Sequence, residues 1–437
     1  MDVFLGVALL LGLILLGIPV GYALGLAGLG SLLMLVPLPM IHGLVGQVVH
    51  HTVANYVILT IPMFVLISET LAASGIAADL MLACNRMMRR VRGGLAMACV
   101  LAGSILAAAS GSSTASVATL SRAAFPTMRK LGYDDGLSIA TISMAGTLAI
   151  MIPPSIAFVV YGIITEESIG RLFMAGMVPG VITAAGYVLT IMLALRLRPE
   201  LAPQIVARAK DALASPADEP RGRVWPVVLL VLLIMGSLYT GVATPTEVGA
   251  LGALGAIVIS VALGRIGPRN LITAVANTLR TSAMIVTIIF GALLFGYFMS
   301  LTQATDTMLE WIKASGLSPM TVLLLVVAIY LFLGMIMDQF AIIVLTVPIS
   351  YALITGLGFD GIWFGVLIVK TAEIGLVTPP LGLNIFIASA ITGVPTGKGF
   401  RGTTLFLVAE LTLLALIIAF PEVVTFVPDY LMGTRGG

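Results

Sequence analysis

The sequence predicts an all-α polytopic membrane protein, built as an inverted repeat with five spans and one re-entrant hairpin in each half. Three observations predict it. Charged residues make up only 10% of the 437, hydrophobic residues 59%, and the mean hydropathy is +1.14; soluble domains carry about 25% charged residues. Apolar runs of roughly 20 residues, the length a membrane helix requires, recur along the whole chain. A double proline falls inside a long apolar run twice, at Pro153–Pro154 and at Pro379–Pro380. Proline has no N–H, and its ring collides with the carbonyl four residues back. A helix broken in hydrocarbon leaves unpaired carbonyls, so such a break survives only inside protein or beside a polar cavity.

Composition excludes several alternatives. The 47 glycines and 22 prolines with few aromatics fit helices packed through small residues rather than a β-barrel. A net charge of +2 is too small for nucleic-acid binding. Cys84 and Cys99 lack metal or redox spacing and read as buried thiols, so no transition-metal site is expected. Asp2 stands where a signal peptide has its basic region, which makes Val3–Gly17 a retained span. No zinc-protease motif, P-loop or nucleophile elbow is present. The chain therefore reads as neither an enzyme nor an ATP-driven pump.

Taken in order, spans are expected at Val3–Gly17, Gly21–Val36, Asn55–Ser74, Leu137–Ile164 and Leu172–Leu195. A second set follows at Trp225–Thr240, Val248–Leu263, Ser282–Leu301, Ile362–Ile391 and Leu405–Phe420. The segments 93–128 and 319–355 are apolar but interrupted by GSSTAS and GMIMDQ. Each reads as a hairpin of two half-length helices with a polar tip; a pair of ordinary spans is the alternative. The stretches 37–52, which holds His42, His50 and His51, and 265–279 occupy matching places and read as surface helices. Residues 196–224, with ten charges and four prolines, form a linker between a first repeat (1–195) and a second (225–437).

Lys and Arg concentrate at 86–92, 129–130, 196–223, 265–280 and 398–401, which the positive-inside rule assigns to the cytoplasm. The acidic turn 165–168, the segment 306–310 and both termini then lie outside. The halves share one offset: Pro19 and Pro245, Gly132 and Gly358, Asp134 and Asp360, and both double prolines are each 226 residues apart. Five crossings per half would turn the second copy upside down, as in secondary transporters with sites at broken helices near the midplane.

The polar groups inside the spans cluster at these places. In the first half, Ser112, Ser113, Thr114 and Ser116 at the tip face a break with Thr147, Ser155 and the carbonyls from Leu148 to Pro153. In the second, Asp338 and Gln339 face Thr378, Asn384 and the carbonyls of Gly375 and Leu376. Neutral oxygens suit a hard monovalent cation such as Na⁺, and half-helix N-termini favour an anionic substrate. Lys370 and Glu373, three apart on one helix, either neutralise each other or take part in coupling.

At these motifs the chain resembles the large membrane subunit of the tripartite ATP-independent periplasmic (TRAP) transporters. The matching stretches are GSSTASVATLSRAAFPTMRKLGYDDG at 111–136, GTLAIMIPPSIAFVVYGIITEESIGRLFMAGMVPG at 146–180, TGVATPTE at 240–247 and EIGLVTPPLGLNIF at 373–386. The resemblance implies a bacterial inner-membrane importer of an organic acid (dicarboxylate, sugar acid or keto acid), driven by Na⁺ and working as an elevator of scaffold and transport domains. It implies two partners, a small four-helix membrane subunit and a periplasmic substrate-binding protein; the small subunit is expected to be a separate chain. By that likeness one sodium site comprises Ser112, Ser113, Thr147, Leu148, Ala149, Ile150, Met151 and Pro153. The other comprises Gly334, Asp338, Gly375, Leu376, Thr378 and Pro379. Substrate would lie between the tips, at Ser113, Thr114, Ser116, Ser155, Gln339 and Asn384. Lys370 departs from the resemblance, which implies an uncharged residue there. The alternative is a stand-alone inverted-repeat carrier, an anion symporter or a sodium/proton exchanger; a passive anion channel is more remote.

Overall fold

The computed structural model describes residues 2–88, 91–202 and 224–433, and within these all regular structure is helical. Most of the expected linker, residues 203–223, lies outside the described residues, as do Arg89 and Arg90 of the basic cluster. The chain runs through α1 (Asp2–Leu15), α2 (Val20–Leu35), α3 (Leu38–Ala54), a 3₁₀ turn (Tyr56–Leu59), α4 (Thr60–Ser74) and α5 (Ile76–Met88). It continues with α6 (Gly94–Ser110), α7 (Ser113–Lys130), α8 (Asp135–Met151), α9 (Ile156–Thr165) and α10 (Ile169–Leu197). After the undescribed stretch come α11 (Trp225–Tyr239), α12 (Pro245–Ala262), α13 (Pro268–Leu301), α14 (Ala304–Ala314) and α15 (Pro319–Gly334). The last five are α16 (Gln339–Gly356), α17 (Gly361–Gly375), α18 (Leu383–Thr392), α19 (Thr396–Ala419) and α20 (Glu422–Met432).

Among the described residues, 7 helical stretches are long and apolar enough to cross a membrane, so the chain is a polytopic membrane protein. Ten spans were expected. Val3–Leu15, Val20–Leu35 and Trp225–Tyr239 are apolar but shorter, and α17 and α18 divide the last broken run between them.

The motifs that recur at the common offset are helix-boundary signals. Gly132 and Gly358 take positive φ, 77° and 94°, and stop the preceding helix. The Asp134 carboxylate then accepts from Leu137 N at 2.9 Å and starts α8; that of Asp360 accepts from Trp363 N at 2.7 Å and starts α17. At TGVATPTE, Thr244 and Glu247 form a reciprocal capping box with Pro245 in the first turn of α12.

Two expectations are corrected. Residues 265–279 do not form a separate surface helix, because α13 runs unbroken from Pro268 to Leu301, 34 residues, or about 51 Å. The matching stretch of the first half is broken into α3 and α4, where the Asn55 side chain caps Val57 N and Pro62 follows. Residues 269–301 contain no proline. The hairpin arms are also longer than half-length, at 17 and 18 residues for α6 and α7 and 16 and 18 for α15 and α16.

The two hairpins reach the broken run α8–α9 from opposite ends. The base of α6–α7 lies at its start, because only residues 131–134 separate the end of α7 from α8. The base of α15–α16 lies at its far end, where Tyr351 Oη donates to Glu167 Oε1 at 2.8 Å. That run is 89% buried over its most apolar window, against 28–56% for the other candidate spans. The proline break is therefore shielded from lipid by protein, as an interrupted helix requires.

Candidate functional site

Both hairpin tips open onto one cavity of about 510 Å³. Ser112, Ser113, Thr114 and Ala115 line it from the first tip, and Asp338, Gln339 and Phe340 from the second. Two larger cavities, about 640 Å³ each, lie at the 162–170 turn and at the 398–405 stretch. Neither is lined by a tip.

Each tip is a helix N-terminus. Ser112 caps α7 by accepting from Ala115 N at 3.5 Å. Asp338 caps α16 by accepting from Phe340 N at 2.9 Å and Ala341 N at 3.2 Å. Both macrodipoles therefore end in the same cavity with their positive poles. Ser113 and Gln339 are buried beside it, and neither Ser113 Oγ nor Gln339 Oε1 has a protein partner. The Ser155 hydroxyl and both amide atoms of Asn384, 0% exposed, are likewise unpartnered, but neither residue lines this cavity, where both were expected. Buried polar groups left this way cost about 1–3 kcal/mol each, and a ligand in the cavity removes that cost for Ser113 and Gln339.

The tips press against the breaks backbone to backbone. Gly111, with φ +60°, lies where an added Cβ would stand 2.7 Å from the carbonyl of Pro154. Gly334 at the second tip and Gly375 beside the second break abut so closely that a Cβ on either would meet the other's backbone. Both double-proline bonds are cis. Pro153 and Pro154 cannot donate to Ala149 and Ile150, whose carbonyls lose their helical donors as expected.

Several expected donors are already committed. Leu148 O accepts from Ile152 N, Gly375 O from Thr378 N and Leu376 O from Asn384 N, so these carbonyls are not freed. The Thr147 hydroxyl donates to Met144 O at 2.8 Å and abuts Tyr187 Oη at 3.2 Å, away from the tip. Thr378 Oγ1 donates to Ile374 O at 2.6 Å. Ser116 pairs with Ser110 Oγ at 3.0 Å and is absent from the cavity wall. A Cβ on Gly176 would stand 2.7 Å from Met151 O, which turns that carbonyl toward α10. Pro379 is exposed. The break thus supplies fewer ligands than its composition promised, because a helix end closes many of its carbonyls with its own 3₁₀ and capping bonds.

Similarity to known proteins assigns the family. The family model described as "Tripartite ATP-independent periplasmic transporter, DctM component" matches residues 7–423. The chain belongs to that family. This DctM-family chain is 34% identical over 417 residues to the C4-dicarboxylate TRAP transporter large permease protein DctM of Pseudomonas aeruginosa, covering 94% of each. It is 25% identical to the sialic acid TRAP transporter large permease protein SiaM of Vibrio cholerae, covering 97% of each. A crystal structure of the Alcanivorax borkumensis YdaH transporter matches the fold with a TM-score of 0.64 at 16% identity, over 89% of this chain and 90% of that one.

Sequence reasoning missed part of the cavity in this DctM-family chain. Ser68 and Glu69 of α4 and Thr281 and Met284 of α13 also line it, and Glu69 accepts from Asn277 Nδ2 at 3.0 Å. It also missed Glu410. That residue is 0% exposed and completes an ionic cluster in which Lys370 Nζ lies 3.0 Å from Glu373 Oε2 and 2.7 Å from Glu410 Oε2. Lys370 and Glu373 thus form a pair, but one shared with a third ionisable group from α19. The signal was available: Glu410 is the single carboxylate inside Leu405–Phe420.

Proposed function

We propose that this chain is the translocating subunit of a sodium-coupled TRAP importer in a bacterial inner membrane. The observation that carries the reading is the convergence of two hairpin tips, from opposite ends of a buried broken helix, on one cavity. Helix bounds recur at the offset of the double prolines: α7 and α16 begin 226 residues apart, and so do α8 and α17. Residues 1–195 and 225–437 then form inverted repeats about a cytoplasmic linker at 196–224. Hairpins and broken helices make a mobile transport domain, and the helices that face the cavity from outside, α4 and α13, belong to the scaffold.

The substrate is an organic anion held by carboxylate. Relatives named for a C4-dicarboxylate and for sialic acid share that group, and two helix N-termini with unpartnered Ser113 and Gln339 suit it. Na⁺ would take the uncommitted oxygens of the tips and the Ala149–Ile150 carbonyls, which match its hard-cation chemistry. A periplasmic binding protein delivers the substrate, and a small four-helix subunit supports the scaffold.

Uptake by the chain reconstituted with both partners tests this. Labelled organic acid enters vesicles only under an inward Na⁺ gradient. Equal uptake in Na⁺-free buffer defeats the coupling, and uptake without the binding protein favours a stand-alone carrier.

A further inference from the structure

The ionic cluster does not balance if all its acids are ionised. Lys370, Glu373 and Glu410 are each 0% exposed, so one positive and two negative charges lie enclosed in the membrane-embedded interior. An uncompensated buried charge costs several kcal/mol. The hydrogens fall short in the same place. Lys370 Nζ donates to Thr183 Oγ1 at 3.1 Å and Glu373 Oε2 at 3.0 Å, and its third hydrogen is left for Glu410 Oε2 at 2.7 Å. Tyr187 Oη meets Glu410 Oε1 in a short contact, Glu373 Oε1 at 3.3 Å and Thr147 Oγ1 at 3.2 Å. Its hydroxyl has one hydrogen for those three oxygens, and the hydrogen of Thr147 is spent on Met144 O. Two carboxylate oxygens thus face one hydrogen at Tyr187.

We infer that Glu373 and Glu410 together form a proton-binding site that holds one proton. A single proton on the pair settles both shortages. The acid that carries it donates to Tyr187 Oη, Tyr187 donates to the other carboxylate, and that carboxylate stays paired with Lys370. The cluster is then neutral, and each of its hydroxyl hydrogens has an acceptor. No bond other than O–H forms, and the proton comes from water. The helices packed against α19 are α8, α10, α17 and α18. Tyr187 on α10 and Lys370 and Glu373 on α17 are the titratable groups they turn to Glu410. Helix α18 carries no titratable group, and α8 carries only Asp135, which pairs with Lys398 at 3.5 Å. This site stands apart from sodium coupling, and its test involves no transport.

Infrared spectroscopy of the full chain in lipid vesicles at neutral pH reads the proton directly. The expected result is a carboxylic-acid C=O band from a buried, protonated side chain. Glu410→Gln leaves Glu373 as the one carboxylate that balances Lys370, so no proton is held and the band disappears. Lys370→Met leaves two acids without a cation, and the band doubles in area. Tyr187→Phe removes the acceptor of the acid proton and shifts the band to higher frequency. A wild-type spectrum without the band overturns the inference without recourse to any variant, and a Na⁺ ion bridging the two carboxylates would give that outcome. A band that persists in Glu410→Gln, or that Tyr187→Phe does not move, overturns it as well.

Discussion

Ser113 and Gln339 bring buried, unpartnered oxygens to the cavity wall, whereas Asn384, equally unpartnered, lies outside that wall. Replacing Ser113 by alanine removes no protein hydrogen bond. Stability should therefore hold or rise slightly, while one ligand contact, worth about 1 kcal/mol, disappears. The expected outcome is an unchanged melting temperature with half-saturation for substrate or Na⁺ raised about 5-fold, the equivalent of that energy. Unaltered half-saturation for both would remove Ser113 from the site. The sequence made Ser113, Gln339 and Asn384 legible because each stands beside a helix interruption. It could not show that Thr147 turns toward Tyr187, or that the carbonyls of Gly375 and Leu376 are capped. Those depend on side-chain and end geometry that residue type leaves open. Glu410 was visible as a lone carboxylate, but nothing along the chain couples position 410 to 370.

At the scale of the element, the hairpin and the broken helix act as a pair because glycine lets their backbones touch. Gly334 and Gly375 leave no room for a Cβ at their crossing, so Gly375→Ala must push α15 away from α17. Overpacking of this kind costs about 1–3 kcal/mol, and it moves the second tip off the cavity. We expect a lowered melting temperature and uptake reduced at least tenfold. Gly236→Ala is the control: a Cβ there meets nothing within 4 Å, and alanine is the better helix former by about 1 kcal/mol. Equal behaviour of the two variants would show that the crossing is not tight. The helices themselves were legible through their ends: the repeated Gly–Asp stop and start, the TPTE box, and the double prolines. The short charged helices α5, α14 and α20 were not, because a search for apolar runs passes over segments of 11 to 13 residues. Nor was the continuity of α13, since the Arg265–Arg280 charges that suggested a surface helix lie partly on the first turns of a longer one.

For the molecule as a whole, the offset of 226 residues becomes a statement about sidedness. If the repeats are inverted, the turn 165–168 and the stretch 398–401 lie on opposite faces of the membrane, although α10 and α19 pack side by side. The packing fits, because Arg171 near the start of α10 pairs with Asp429 of α20, beyond the end of α19, at 2.6 Å. Helices α10 and α19 are therefore antiparallel, as an odd number of crossings between matching elements demands. Single cysteines test the assignment with little background, since Cys84 and Cys99 are both buried. In intact cells whose outer membrane admits small reagents, a membrane-impermeant thiol reagent should label Glu166→Cys. It should label Arg401→Cys only after the inner membrane is permeabilised, because that residue sits in the basic stretch that the positive-inside rule retains in the cytoplasm. The reverse pattern would flip the whole protein while preserving the inversion. Equal labelling of both from one side would abolish the inverted repeat, and with it the reason for two tips to meet in the middle.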